Sequence, residues 1–219
     1  MKVSKAQVQE NRARIVGTAS TLFRQRGYDG VGVAELMGAA GLTHGGFYKH
    51  FRSKADLMAE AAAEGLAQST NLAAGMDFKS FVEQYLSRQH RDAPGQGCTI
   101  AALGADAARQ SDNVKTVFAG GIEHQLAMLA QNDKSSETGT APTRAMLINT
   151  IAQAVGAMVL SRACPDDSAL ADEFLQTCRQ SILSQYLTGH DSQAPADKVV
   201  SNLCSAHSGS SPQRADPAG

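Results

Sequence analysis

Between Thr43 and Lys54 the chain gathers a hydroxyl, two imidazoles, a phenol and two ammonium groups on Thr43, His44, Tyr48, Lys49, His50 and Lys54, with Gly45 and Gly46 among them. These are donors suited to anionic oxygens and to the edges of bases. Thr43 is a good helix N-cap, and the N-terminus it opens favours phosphate. The two glycines cost a helix roughly 1 kcal/mol each against alanine, but they permit a close backbone approach. Lys54 stands at the start of the next helix, where its ammonium reaches a phosphate. His44 and His50 are six residues apart with no cysteine adjacent, a poor spacing for one metal. No nucleophile–base–orienter set and no glycine-rich phosphate loop is recognisable, so neither enzyme chemistry, nor a cofactor, nor a bound metal is expected.

A second point of possible chemistry is Cys98, which follows Gly95-Gln96-Gly97 and opens a helix. Thiols at helix N-termini are richer in reactive thiolate; a small buried apolar residue is the other reading. Phe78, Phe81, Tyr85, Phe118, Met128 and Met158 have the types and helical spacing to line a ligand pocket, and equally to form plain core. Arg109 and Glu123 are polar candidates within it. Cys164 and Cys178 fall near the last helices as packing residues, and Cys204 lies near the C-terminus. The four cysteines lack close pairing or a C-x-x-C spacing, so neither disulfides nor zinc are expected and a reducing cytoplasm fits. His90, His124, His190 and His207 stand alone, in surface or satisfied core positions.

The elements that must carry these residues are all helical. Ile15, Ala19, Leu22 and Phe23 make one stripe of a helix closed by Gly27. A short helix over 33–40 ends at Gly41, and a third covers 44–51 with Phe47 and Phe51 facing inward. Ser53 starts a fourth helix, to about Leu72. A fifth spans 77–91 and a sixth 98–109. A seventh runs from 112 to 130, with a kink at Gly120-Gly121. Residues 132–141 read as a mobile loop, and Pro142 as the first position of an eighth helix to Arg162. A ninth covers 168–187. No strand alternation is found. Residues 1–55 hold nine Lys/Arg against three Asp/Glu, although the whole chain has 20 against 21. A basic end on an acidic body is the footprint of a domain that meets phosphates beside one that does not. No continuous apolar run has the length of a membrane span, and no secretory signal is seen.

The stretch from Arg12 to Leu57 resembles the DNA-binding domain of the TetR family of bacterial repressors. The residues that carry the likeness are Ile15, Ala19, Phe23, Gly27-Tyr28, Val33, Leu36, Ala40-Gly41-Leu42-Thr43, Gly45, Phe47-Tyr48-Lys49-His50-Phe51, Ser53-Lys54 and Asp56-Leu57. The resemblance implies a helix-turn-helix in which Tyr48, His50 and Lys54 bind phosphates while His44, Gly45 and Lys49 lie nearest the bases. Val31 and Gly32 stand where the family usually has Thr or Ser, so a phosphate-binding hydroxyl is missing there. Gly46 replaces a commoner Ser, Thr or Ala.

The expected organisation is all-α. A three-helix head would occupy 1–53, a ligand-sensing and dimerising body 54–189, and a disordered tail 190–219. The resemblance further implies a homodimer through the eighth and ninth helices. It would sit on a pseudo-palindromic double-stranded operator, and an unidentified small molecule would release it. The segment Gly97–Gly104 resembles a TetR subgroup that senses electrophiles or oxidants, which makes Cys98 the candidate for modification. A helical small-molecule-binding protein, an adaptor, or an activator of the same fold are the alternatives.

Overall fold

The computed structural model describes residues 4–132 and 142–191, and among them only helices and turns occur. The loop expected at 132–141 falls, beyond Asn132 and before Pro142, outside the described residues. So does the expected tail past Asp191, with Cys204 and His207.

Helix α1 (Lys5–Arg26) begins at Ser4, whose hydroxyl accepts from the Gln7 N–H at 3.1 Å. Its Ile15, Ala19 and Phe23 are fully buried. Gly27 closes it at φ +75°, its N–H donating to the Phe23 carbonyl at 2.8 Å. Helix α2 (Val33–Ala39) ends in a Schellman motif, in which two reversed backbone bonds satisfy the last carbonyls. Gly41 sits at φ +68°, its N–H reaching Gly38 at 2.9 Å and that of Leu42 reaching Met37 at 2.8 Å.

Residues His44–Lys49 form a 3₁₀ helix rather than the α-helix the sequence suggested. The N–H of Gly46 bonds Thr43 and that of His50 bonds Phe47, each at 2.9 Å. Six residues with two glycines gain little from α-helical propagation, so the tighter i→i+3 pattern suffices.

Helix α3 (Lys54–Ala73) is capped by Ser53, which accepts from the Asp56 N–H at 3.1 Å. The single helix expected over 77–91 is broken into α4 (Phe78–Tyr85) and α5 (Arg88–Asp92). Leu86 leaves helical geometry, and the Ser87 hydroxyl caps the new helix by accepting from the His90 N–H at 3.1 Å. A 3₁₀ turn at Pro94–Gln96 leads to α6 (Thr99–Ala107), with Cys98 as its N-cap.

Helix α7 (Asp112–Asn132) runs unbroken through Gly120-Gly121, where a kink was expected. Gly121 serves close packing instead: a Cβ there would lie 2.5 Å from Leu66 Cδ1 on α3. Pro142 precedes the N-cap Thr143 of α8 (Arg144–Ala163) rather than opening the helix, and α9 (Ala169–Asp191) follows.

Two apolar clusters fill the interior. The first joins Ile15, Phe23, Tyr28, Leu36, Phe47 and Phe51 of the head to Leu57 and Met58 of α3, Leu103 of α6, and Val114 and Phe118 of α7. The expected domain limit at residue 53 therefore crosses one continuous core. The second unites α4, α6, α7, α8 and α9 around Leu86, Leu129, Met158 and Ile182. Helix α8 has the length and mean hydropathy (1.3) of a membrane span. It lies instead against α9, α6 and α7, and its apolar residues divide between that core and an open face.

Candidate functional site

Phe47 is fully buried and Phe51 nearly so, their rings 5.6 Å apart. They anchor the 3₁₀ helix from behind, and with the backbone so placed the intervening side chains turn outward. Thr43, His44, Gly45, Tyr48 and Lys49 are exposed, and Gly46 and His50 half-exposed. Tyr48 is 72% exposed and rests edge-on against Phe47. A Cβ at Gly45 would meet nothing within 4 Å, and at Gly46 only Met37 and Thr43 at an ordinary 3.6 Å. Internal packing therefore does not require glycine at either position.

Arg12 of α1 fixes the far end of this surface. Its guanidinium donates to the His50 carbonyl and to Glu60 of α3, and lies 4.3 Å from the Phe51 ring centroid. Burial first, then the Arg12 and Lys49 cations, hold the His50 imidazole below its ordinary range. Lys54, expected to reach a phosphate, donates its ammonium to the Tyr28 carbonyl at 2.6 Å. Val31 is fully buried in the head core, so a side chain there is a packing element. Arg26 pairs with Glu35 across α1 and α2. Sequence reasoning gave Arg12 no role beyond its charge, because the groups it grips lie 38 and 48 residues away.

A cavity of about 310 Å³ opens in the body between α3, α4, α5 and the turn before α6. Leu72, Met76 and Phe81 supply apolar wall; Gln84, Gln89, Gln96 and Gln125 supply amides; Tyr85, His90 and Cys98 complete it. Phe81, Tyr85 and Cys98 were expected at a ligand pocket. Phe118 lies in the head-side core, and Met128 and Met158 in the core of the body, away from this wall. Phe78 stacks on Tyr186 with ring centroids 4.2 Å apart. Arg109 and Glu123 are not pocket groups: Arg109 pairs with Asp106, and Glu123 with Arg144, both at 2.6 Å on the surface. Their long, charged side chains stay where water can solvate them.

His90, which the sequence leaves isolated, is central to this wall. Its Nε2 accepts from the Cys98 N–H at 2.9 Å, and its Nδ1 faces the Tyr85 carbonyl at 2.7 Å. The ring is therefore neutral, with its proton on Nδ1. Gly97 makes the contact possible, since a Cβ there would fall 2.7 Å from Nε2. Desolvation holds this imidazole below its ordinary range. The Tyr85 hydroxyl is buried with no oxygen or nitrogen partner among the described residues. Burial and the neighbouring Cys98 push its phenol far above its ordinary range.

One buried arginine connects cavity and head. Arg24 of α1 donates twice to the Gly95 carbonyl, at 3.0 and 2.7 Å, and also to Ser20, Thr99 and Gln68. Gly65 of α3 leaves the necessary room: a Cβ there would lie 2.6 Å from Thr99 Oγ1 and crowd the guanidinium. Asp106 of α6 adds a second link by accepting from the Tyr28 N–H at 3.1 Å. Behind the cavity, Arg91 holds Ser161 and Cys164, and Arg162 holds the carbonyls of His90 and Arg91.

Residues 15–61 match the family described as bacterial regulatory proteins, tetR family. The HTH-type transcriptional regulator AcrR of Shigella flexneri is 40% identical over 57 residues, which are 26% of this chain and 26% of AcrR. The HTH-type transcriptional repressor NemR of Escherichia coli K12 is 26% identical over 132 residues, 56% of this chain and 66% of NemR. The chain thus spans less than two thirds of the length of these relatives. The crystal structure of the reduced form of E. coli NemR superposes with a TM-score of 0.66 at 20% identity, covering 80% of this chain and 96% of that one. A TetR-family transcriptional regulator from Cytophaga hutchinsonii gives 0.63 at 20% identity, over 84% and 98%. At these identities the structures speak for the fold, and the fold is the same: a helix-turn-helix head on an all-helical body. Over residues 15–61 the chain is similar to the tetR family of bacterial regulatory proteins, and over most of its length it shares the fold of the TetR-family structures.

Proposed function

We propose that the chain is a cytoplasmic transcriptional repressor that binds a pseudo-palindromic operator as a homodimer and is released by a small molecule or by modification of Cys98. The observation that carries this reading is the outward face of the 3₁₀ helix. Thr43, His44, Tyr48 and Lys49 are exposed on it while Phe47 and Phe51 hold it from within. A rigidly backed, donor-rich surface of this kind suits a major groove, with phosphates at its flanks. AcrR and NemR are a regulator and a repressor by name, which supports the same reading.

The test is fluorescence anisotropy on the DNA flanking the protein's own gene, with a salt titration. Phosphate contacts make affinity fall steeply as salt rises. Lys49→Ala is expected to weaken operator binding by about 1–3 kcal/mol and to relax sequence preference. Lys54→Ala is expected to weaken binding to all sequences nearly alike and to lower thermal stability, because it also removes the bond to Tyr28. A chain that does not bind DNA even at low ionic strength would leave the rival reading, a helical small-molecule-binding protein that does not meet DNA.

A further inference from the structure

We propose that the body cavity is a site for a small, uncharged, largely apolar molecule bearing one hydrogen-bond acceptor, and that the Tyr85 hydroxyl is the donor that receives it. This names the ligand class for the small-molecule control proposed above and rests on that reading.

The orphaned hydroxyl comes first. A buried hydroxyl left without a partner costs on the order of 1–3 kcal/mol. Tyr85 is more than nine-tenths buried and lines the cavity, and among the described residues its hydroxyl has no oxygen or nitrogen partner, only the Cys98 sulfur beside it. The natural neighbours are weak or already committed. The Cys98 thiol beside it is a poor acceptor. His90 uses both ring nitrogens, one on the Cys98 N–H and one on the Tyr85 backbone carbonyl. A guest with an acceptor atom completes the wall.

Charge decides the class of guest. Among the described residues no Asp, Glu, Lys or Arg lines the cavity, and its polar wall is made of amides, hydroxyls, the Cys98 thiol and one neutral imidazole. The Arg24 and Arg162 guanidiniums stand near Cys98, but neither is part of the wall. Their field favours the negative end of a carbonyl dipole. It offers no direct contact to repay the desolvation of a full anion, and nothing repays that of a cation. The volume of about 310 Å³ lies at the small end of ligand pockets, which suits a guest of one ring rather than several.

The experiment is calorimetric titration of the full chain with three molecules of one shape. Acetophenone carries the acceptor, ethylbenzene lacks it, and benzoate replaces it with a charge. Acetophenone is expected to bind saturably, with ethylbenzene and benzoate each about tenfold weaker or worse. Tyr85→Phe is expected to weaken acetophenone by about tenfold and to leave ethylbenzene unchanged, since the ring is kept and only the donor is lost. Circular dichroism and a melting curve check that the variant folds; the ethylbenzene comparison deletes the same bond from the ligand side and needs no variant. Benzoate binding as tightly as acetophenone, acetophenone indifferent to Tyr85→Phe, or no saturable acetophenone binding would each overturn the site. No DNA is present, so loss of this site and loss of operator binding are read separately.

Discussion

Gly45 and His90 show how a single residue's surroundings set its use. A methyl group added at Gly45 would find empty space within 4 Å, so the fold tolerates alanine there. Gly45→Ala is therefore expected to raise stability by up to about 1 kcal/mol, through lower unfolded-state entropy. If the backbone approaches a base edge at that point, operator affinity falls at least tenfold in the same variant. Melting curves and anisotropy on one preparation measure both effects, and unchanged affinity would remove Gly45 from the interface. His90 gives a pH signature. Its folded value is depressed by burial, so unfolding takes up a proton once the pH falls below the ordinary histidine value of about 6.5. Stability is then full above that value and declines as pH falls toward the folded one. Urea titrations at about pH 7 and pH 5.5 should show the wild type losing stability and His90→Gln losing less. His50 shifts the same way and supplies part of the remaining slope. Equal slopes in both proteins would show that His90 is not the group responsible.

Among the elements, the turn at Pro94–Gln96 matters most. It contributes Gln96 to the cavity and hands its Gly95 carbonyl to Arg24 of α1. A displacement of this turn by a guest is felt directly by the helix that carries the head. Arg24 is buried, is held below its ordinary range by desolvation, and among the described residues has carbonyl, hydroxyl and amide partners but no carboxylate in hydrogen-bond contact. Arg24→Gln cannot reach all of them. It is expected to cost on the order of 2 kcal/mol in urea unfolding, from hydrogen bonds to a charged group. It is also expected to reduce the effect of any cavity ligand on operator affinity. Full retention of that coupling in a folded Arg24→Gln protein would place the link elsewhere, with Asp106 the next residue to examine. The break between α4 and α5 serves the same region, because it is what turns His90 toward Cys98.

At the scale of the whole molecule the open face of the last two helices is the notable feature. Ile148, Val159 and Leu160 of α8 and Leu170 of α9 are exposed. Ala152 and Gly156 lie between them on α8, with open space at Gly156. Apolar side chains grouped around small residues on paired helices suit a two-fold packing with a second copy. Sedimentation is expected to show a dimer for the wild type. Leu160→Glu should shift it toward monomer and weaken operator binding at least tenfold, because recognition helices set roughly 34–36 Å apart depend on the pairing. A wild-type chain that sediments as a monomer, or a Leu160→Glu protein still dimeric, would count against this face.

The helix-turn-helix was legible from residues alone because its determinants are local. Period-3.6 apolar spacing, a glycine after each of the first two helices, and inward phenylalanines four apart all act within a few residues of one another. The all-helical class and most helix limits follow from the same short-range terms. Sequence could not reveal that 44–49 winds as a 3₁₀ helix, that 77–91 breaks at Ser87, or that Gly121 serves packing rather than a kink. Those outcomes balance local propensity against neighbours brought from elsewhere. The cavity wall is more remote still. The Arg24–Gly95 bond spans 71 residues, and the isolation of the Tyr85 hydroxyl is a property of desolvation, which exists only once the helices have closed around it.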